Sequence, residues 1–320
     1  MFKYKKFIYL NIFIMLNFLL PRNKKKNRIK VCLCVIGKKE NLYIKEFVNH
    51  YREIGYNHIY IYDNNDINSE RIDSIINNPN FVTIIDYRGY RNKKNNSQYE
   101  AYYDCYEKNN RNYDWLSFFD FDEYLEIIPN NQTIQEFLDN GIFKKCQVIK
   151  INWLFYSSAK EILAFENKPL KIRFKNKLLT PFNSSDIDIL YLSLNPYLLI
   201  NNELNEISNR HIKSTVRGGL IKNYWSRWEN SHTSIDTFKS CSSSGKRISG
   251  KTSFVNPPDF KNAFIKHYYF KSFEEFCLKL KRGWPDSTDK IKWINNLINE
   301  NKNSKSKLNI IKKILNISLI

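Results

Sequence analysis

The 320-residue sequence predicts an α/β protein with a mostly parallel sheet flanked by helices. Two observations support this prediction. Short runs of β-branched and aromatic residues alternate with helical patterns through the first half of the chain, which is typical of βαβ units. Polar residues follow most of these runs, as expected where parallel strands end together at one edge of a sheet. The second half predicts a more mixed arrangement.

The first half contains four strand patterns, at 29–36, 58–62, 81–86 and 115–119. Apolar residues at helical spacing predict a helix over 40–54 that ends at Gly55, a short helix near 70–76, and a longer helix containing Tyr99 and Tyr106. In the second half, 146–153 and 263–269 read as strands, and Ser272 is suited to cap a further helix.

The charge balance of the chain is strongly basic. Lysine and arginine number 51 against 32 aspartate and glutamate residues, a formal net charge of +19. Such a charge favours an anionic partner, either nucleic acid, a membrane surface or a phosphorylated substrate. The abundance of lysine and asparagine is equally explained by an AT-rich genome. Charge therefore does not choose among these partners.

The amino-terminal segment, residues 1–28, combines an apolar run over 7–20 with lysine-rich flanks. The run is shorter than the ~20 residues of a spanning helix, and no small-residue cleavage site follows it. It predicts an anchor on an anionic membrane surface, with a signal peptide or a later start at Met15 as alternatives. We expect one domain over 29–285 and a basic helical tail over 286–320.

The cysteine pattern predicts reduced thiols. Six cysteines occur without any C-x-x-C pair, and a chain of this length does not need disulfide bonds to be stable. A cytoplasmic protein, or one on the cytoplasmic face of a membrane with a peripheral or amino-terminal attachment, is therefore expected.

The acidic motif Phe119-Asp120-Phe121-Asp122-Glu123 follows the fourth predicted strand. Carboxylates two residues apart on an extended chain lie on the same side. Among aromatic residues they resist ionising together unless a cation joins them, and carboxylate oxygens suit Mg²⁺ or Mn²⁺. Such a cation would bridge to the diphosphate of a nucleotide and stabilise the leaving group. An acidic turn without a metal is the alternative interpretation.

Several further motifs accompany this one. They are Gly37-Lys38-Lys39-Glu40-Asn41, Tyr62-Asp63-Asn64-Asn65, Asp114-Trp115-Leu116, Asn152-Trp153, Lys213-Ser214, His232, and His267-Tyr268-Tyr269 with Lys271-Ser272. Together they make residues 29–285 resemble the GT-A-fold glycosyltransferases of the family 2 group, close to the family 92-like branch. The resemblance implies a Rossmann-like sheet with a mixed, acceptor-side carboxyl-terminal portion.

The resemblance also implies roles for individual residues. It implies that Asp63 contacts the nucleoside, that Asp120 and Asp122 hold the ribose and the metal, and that His267 or His232 is a third metal ligand. The expected donor-binding set is Glu40, Asp63, Asn65, Asp120, Lys213 and Lys271. A helix-start role for Glu40 and a turn-forming role for Asp63 are the alternatives.

The expected function is a Mn²⁺- or Mg²⁺-dependent transfer of a sugar from a nucleotide-sugar donor, of UDP type, to a glycan or lipid-linked acceptor in surface polysaccharide or glycoconjugate synthesis. Inversion at the sugar is the family expectation. It needs a general base, for which the sequence offers Glu161, Glu166, Asp186 and Asp188 without deciding among them. The alternatives are a catalytically degenerate scaffold and a nucleic-acid-binding protein. The latter is disfavoured because no helix-turn-helix, RNP or zinc signature is present.

Overall fold

The structure is a computed structural model that describes residues 28–89, 97–156, 168–177, 209–220, 239–249, 253–272, 275 and 278–279. The strands in these ranges are β1 (Val31–Gly37), β2 (His58–Asp63), β3 (Val82–Asp86), β4 (Trp115–Phe118), β5 (Glu123–Ile127), β6 (Val148–Phe155), β7 (Ile212–Arg217), β8 (Ser240–Ser242), β9 (Arg247–Ile248) and β10 (Ala263–His267). The helices are α1 (Ile44–Glu53), α2 (Ser97–Asn109), α3 (Ile134–Leu138) and α4 (Leu170–Arg173).

The first four strands form the parallel part of the sheet, in the order β3-β2-β1-β4. Their register aligns Gly37 with Asp63 and Asp63 with Asp86, so the carboxyl ends of β1, β2 and β3 meet at one edge. The predicted strands and the helices α1 and α2 are confirmed. The helix predicted near 70–76 is a single 3₁₀ turn, Ile72–Ser74.

The rest of the sheet corrects the expectation of a mostly parallel arrangement. Strand β7 lies antiparallel between β4 and β6, and β5 lies antiparallel to β10 at the far edge. The β8–β9 pair joins the sheet at β6. Strands β5 and β7 were not predicted: β5 begins inside the acidic motif, and β7 buries polar residues such as Lys213 and Thr215, which hides its strand pattern. The sheet is therefore mixed.

The core is divided between the two faces of the sheet because β1 alternates with period two. Val31, Leu33 and Val35 pack on the face that α1 covers, with Phe47 and Tyr51. Cys32 and Cys34 lie on the opposite face, with Ala101, Tyr102 and Tyr106 of α2 and Phe118 of β4. The two helices therefore bury both faces of the sheet next to the strand ends where the polar residues gather.

Two disulfide bonds correct the expectation of reduced thiols. Cys34 of β1 is bonded to Cys105 of α2, and Cys146 is bonded to Cys241. Their partners are 71 and 95 residues apart in sequence, so no short spacing could reveal them. Among the described cysteines, Cys32 is free and buried.

None of the helices in the described ranges has the length and apolar character needed to cross a membrane. The apolar run over 7–20 and the carboxyl-terminal tail over 286–320 lie outside the described residues. The anchor expected at residues 1–28 therefore stays a prediction.

Candidate functional site

The acidic motif forms the tight connection between β4 and β5. The Glu123 amide donates to the Asp120 carbonyl at 3.0 Å, and the Asp120 amide donates to Oε2 of Glu123 at 2.9 Å. The rings of Phe119 and Phe121 are buried in the core and anchor the turn. Gly37, at the end of β1, lies so close to the Phe121 ring that a Cβ there would overlap the ring edge. Packing therefore holds the turn beside the end of β1.

Strand β10 brings His267 to this turn. In the antiparallel register of β5 and β10, His267 lies opposite Glu123, and the Tyr268 amide donates to the Asp122 carbonyl at 2.8 Å. The imidazole lies against Trp153 and Phe155, with ring centroids 4.4 and 5.0 Å away. The aromatic rings fix the orientation of the imidazole beside the carboxylates.

Asp122, Glu123 and His267 together could hold a metal ion. Each offers one ligand atom, these atoms lie within 4.8 Å of one another, and all three residues are buried. Within the described part of the chain, Oε1 of Glu123 and Nδ1 of His267 have no hydrogen-bond partner. Buried polar atoms without partners are costly, and a divalent cation held by the cluster would satisfy Oε1 of Glu123. The residues therefore fit a cation with oxygen and nitrogen ligands.

The ionisation of the cluster follows from burial and nearby charges. Burial lowers the pKa of His267, which keeps a neutral imidazole able to donate a lone pair. Burial by itself would raise the pKa of Asp122, but Lys279 and His267 outweigh it and hold that pKa well below its usual range. Burial raises the pKa of Glu123 well above its usual value in spite of Lys213.

Asp120 is separate from the three-residue cluster. Its carboxylate accepts hydrogen bonds from Tyr102 at 2.9 Å, from Gln98, and from the Lys213 ammonium at 2.8 Å. Lys213 is fully buried and also lies 3.7 Å from Glu123. Burial would lower the pKa of Lys213, but the two carboxylates outweigh it and raise that pKa. Asp120 thus pairs with a buried ammonium group, while 30% of its own side chain is exposed.

Lys279 supplies a second ammonium to the site. Its Nζ lies 2.6 Å from Oδ2 of Asp122 and 3.9 Å from the centroid of the Tyr269 ring. Lys279 was not predicted from the sequence, because no local pattern links it to Asp122 across 157 residues.

Glu40 and Lys271 join the loop after β1 to the segment after β10. The Lys271 ammonium donates to the Glu40 carboxylate at 2.7 Å and lies 4.3 Å from the centroid of the Tyr43 ring. Both side chains are nearly buried. Burial lowers the pKa of Lys271 in spite of the Glu40 carboxylate. The pair places an ammonium among the same group of loops as Asp122.

Asp63 and Asn65 organise the loop after β2. The two carboxylate oxygens of Asp63 accept the amides of Asn65 and Ile72 at 3.0 and 2.9 Å. Asn65 is fully buried, and its side chain bonds the Lys39 amide and the Asn41 side chain at 2.7 and 3.3 Å. In this structure both residues connect neighbouring loops.

The structure thus brings together Asp120, Asp122, Lys213 and His267 and places Glu40 with Lys271. Glu123, Gln98, Tyr102 and Lys279 are the site residues that the sequence analysis did not assign. For Glu123 a signal existed, since it directly follows Asp122 in the motif. Five predicted residues lie outside the described ranges: His232, Glu161, Glu166, Asp186 and Asp188.

Comparison with known proteins supports the resemblance drawn from the motifs. The family model for glycosyltransferase family 92 matches residues 27–177. A glycosyltransferase family 92 protein of Oryza sativa subsp. japonica is 28% identical over 124 residues, which are 38% of this chain and 20% of that protein. The chain thus matches about a fifth of the length of this relative. The family match includes the β1 loop and the acidic motif, and it ends before Lys213, His267 and Lys279.

Proposed function

From the match of residues 27–177 to glycosyltransferase family 92, we propose that this chain is a metal-dependent glycosyltransferase. It transfers a sugar from a nucleotide-sugar donor, of UDP type, to a glycan or lipid-linked acceptor, in surface polysaccharide or glycoconjugate synthesis. The observation that carries the proposal is the buried cluster of Asp122, Glu123 and His267, whose ligand atoms lie within 4.8 Å of one another. This cluster follows β4, at the sheet edge where ligands bind in α/β folds.

Asp122, Glu123 and His267 would hold the metal. Carboxylate oxygens suit both Mn²⁺ and Mg²⁺, and the imidazole nitrogen makes Mn²⁺ the better fit. When bound, the cation would supply positive charge that stabilises the leaving diphosphate. Burial favours the neutral imidazole, and the rings of Trp153 and Phe155 hold it in place, so a lone pair on its ring nitrogen is available to a metal ion.

The side chains around the cluster suit the rest of the donor. Lys213, Lys271 and Lys279 gather three ammonium groups near the acidic turn, and they would attract a diphosphate. Asp120 is fixed by Tyr102 and Lys213 yet remains partly exposed, so it can accept hydrogen bonds from ribose hydroxyls. Asp63 already accepts two backbone amides, and its remaining lone pairs are available to the nucleoside.

The proposed transfer inverts the configuration at the sugar. An inverting transfer needs a base near the acceptor hydroxyl, and Glu161, Glu166, Asp186 and Asp188 remain the candidates.

Sequence and structure favour different cellular locations for this chain. The lysine-flanked apolar run over 7–20 favours attachment to an anionic membrane surface. The sequence favours its cytoplasmic face, whereas the Cys34–Cys105 and Cys146–Cys241 bonds favour an oxidising compartment. We propose the oxidising compartment, because glutathione keeps cytosolic thiols reduced. Alkylation of the protein from its own cells, before and after reduction, decides between the two: cysteines that react only after reduction support the oxidising compartment.

A screen of donors tests the proposed function. The full chain is incubated with UDP-, GDP- and CMP-sugars, with and without Mn²⁺, and both binding and donor hydrolysis are measured. We expect one nucleotide class to bind and to be hydrolysed only with Mn²⁺. Asp122→Asn should abolish the Mn²⁺-dependent turnover. Asp139→Asn, at the exposed end of α3, should hydrolyse the donor at the rate of the parent. Equal turnover by a folded Asp122→Asn protein would contradict the proposal.

A further inference from the structure

Asp122 already has a cationic partner within the chain. We propose that the Lys279 ammonium is a built-in counter-ion that competes with a divalent cation for Asp122 and is displaced as the cation binds. This inference rests on the proposed function, since it concerns the same three-residue cluster. It adds a residue that controls how strongly the cluster binds a metal ion and how far that affinity depends on bound nucleotide.

The contacts of Lys279 form a complete site for an ammonium group. Its Nζ lies 2.6 Å from Oδ2 of Asp122, 3.5 Å from the Tyr269 carbonyl oxygen and 3.9 Å from the centroid of the Tyr269 ring. A carboxylate, a carbonyl oxygen and an aromatic face are each attractive to a cation. The ammonium is therefore held on a carboxylate oxygen of the cluster.

A metal ion at Asp122, Glu123 and His267 would compete with this arrangement. The other Asp122 oxygen, Oδ1, lies 3.6 Å from Nε2 of His267, so the lysine and the imidazole are on the same carboxylate. A doubly charged ion there would repel the nearby ammonium at a buried position, where charges are poorly screened. The two cations would therefore weaken each other's binding to this carboxylate.

Lys279 rather than Lys213 is suited to leave. The Lys213 side chain is fully buried and lies between Asp120 and Glu123, so it has no exposed path and two partners. The Lys279 side chain is 12% exposed and ends a flexible four-carbon stem. A diphosphate bound beside the cation would offer the displaced ammonium a new anionic partner. Metal and nucleotide should therefore bind cooperatively, each raising the affinity for the other.

The test measures binding of Mn²⁺ alone to the full chain by calorimetric titration, without nucleotide. Lys279→Met removes the competing charge and keeps most of the stem, so Mn²⁺ should bind at least about tenfold more tightly than to the parent, since hydrogen bonds to charged groups are worth this much. Lys279→Gln should give the same direction, and it replaces Lys279→Met if that variant does not fold. Adding UDP should raise Mn²⁺ affinity more in the parent than in either variant.

The matched control is Lys266→Met. Lys266 lies on the same strand as His267, and the replacement breaks its ion pair of 2.7 Å with Glu126 of β5. It should leave Mn²⁺ affinity unchanged. A second comparison adds Asp122→Asn to Lys279→Met, which should remove the gain. Parental Mn²⁺ affinity in a folded Lys279→Met or Lys279→Gln protein would overturn this inference while leaving the proposed function standing. Mn²⁺ binding that is unaffected by Asp122→Asn would instead overturn the metal site itself.

Discussion

Replacing Cys34 and Cys105 together by alanine removes the disulfide bond that ties α2 to β1. The two cysteines are 71 residues apart, and the chain-entropy relation for a loop of this length gives about 4 kcal/mol of stabilisation. Alanine is preferred to serine because Cys34 and Cys105 are fully buried, and a buried hydroxyl without a partner would add its own cost. We expect the double variant to lose about 4 kcal/mol beyond the loss of packing.

Cys32→Ala measures the packing contribution. Cys32 lies two residues before Cys34 on the same strand, is fully buried in the same apolar cluster, and forms no disulfide bond. Subtracting twice the effect of Cys32→Ala from the effect of the double variant leaves the contribution of the cross-link. The same helix carries Gln98 and Tyr102, which bond Asp120, so the loss of the disulfide bond should also weaken the nucleotide binding that we propose.

The assay is equilibrium unfolding in urea of the full chain, with and without a reducing agent. Reduction should destabilise the parent, and it should destabilise the double variant less, because only the Cys146–Cys241 bond remains to be reduced. The reasoning is refuted if the double variant loses no more stability than two Cys32→Ala replacements. It is also refuted if thiol titration of the unfolded, unreduced parent finds every cysteine free.

The remaining predictions concern pH, packing and a buried ion pair. Burial lowers the pKa of His50 from 6.5 to about 3, so the unfolded chain takes up the proton and the protein loses stability as the pH falls below 6.5. Between pH 6.5 and pH 5, unfolding in urea should show that the parent loses about 1.6 kcal/mol more than His50→Gln, because the other histidines contribute equally to both proteins. Gly37→Ala forces the Phe121 ring aside and should lower the free energy of unfolding by about 1–3 kcal/mol. It should also weaken the proposed Mn²⁺ binding, measured by titration, whereas an unchanged melting temperature would contradict this close packing. Arg173→Met leaves the Glu275 carboxylate buried without the guanidinium that lies 2.7 Å away, and thermal unfolding should show a loss of about 3–5 kcal/mol in stability. The double variant Arg173→Met with Glu275→Gln should lose less stability, because no charge is then left without its partner.

Local pattern was enough to predict the parallel half of the fold. Each of β1 to β4 is a short run rich in apolar, aromatic or β-branched residues. Helix α1 buries Ile44, Phe47, Val48 and Tyr51 at helical spacing, so neighbouring residues carry the whole signal. The same reasoning located the acidic motif, since the polar ends of parallel strands share one edge. Glu40, Asp63 and Asp120 were found in this way.

Long-range pairing decided what local pattern could not. The strand register sets His267 opposite Glu123, 144 positions later in the chain, and the fold carries Lys279 to Asp122 across 157 residues. The partners of Cys34 and Cys146 were likewise hidden by separations of 71 and 95 residues. Periodicity reports which face of an element is buried, not which distant element covers that face. The sequence alone therefore determined the acidic edge of the sheet, and only the tertiary structure decided which cations and which imidazole face its carboxylates.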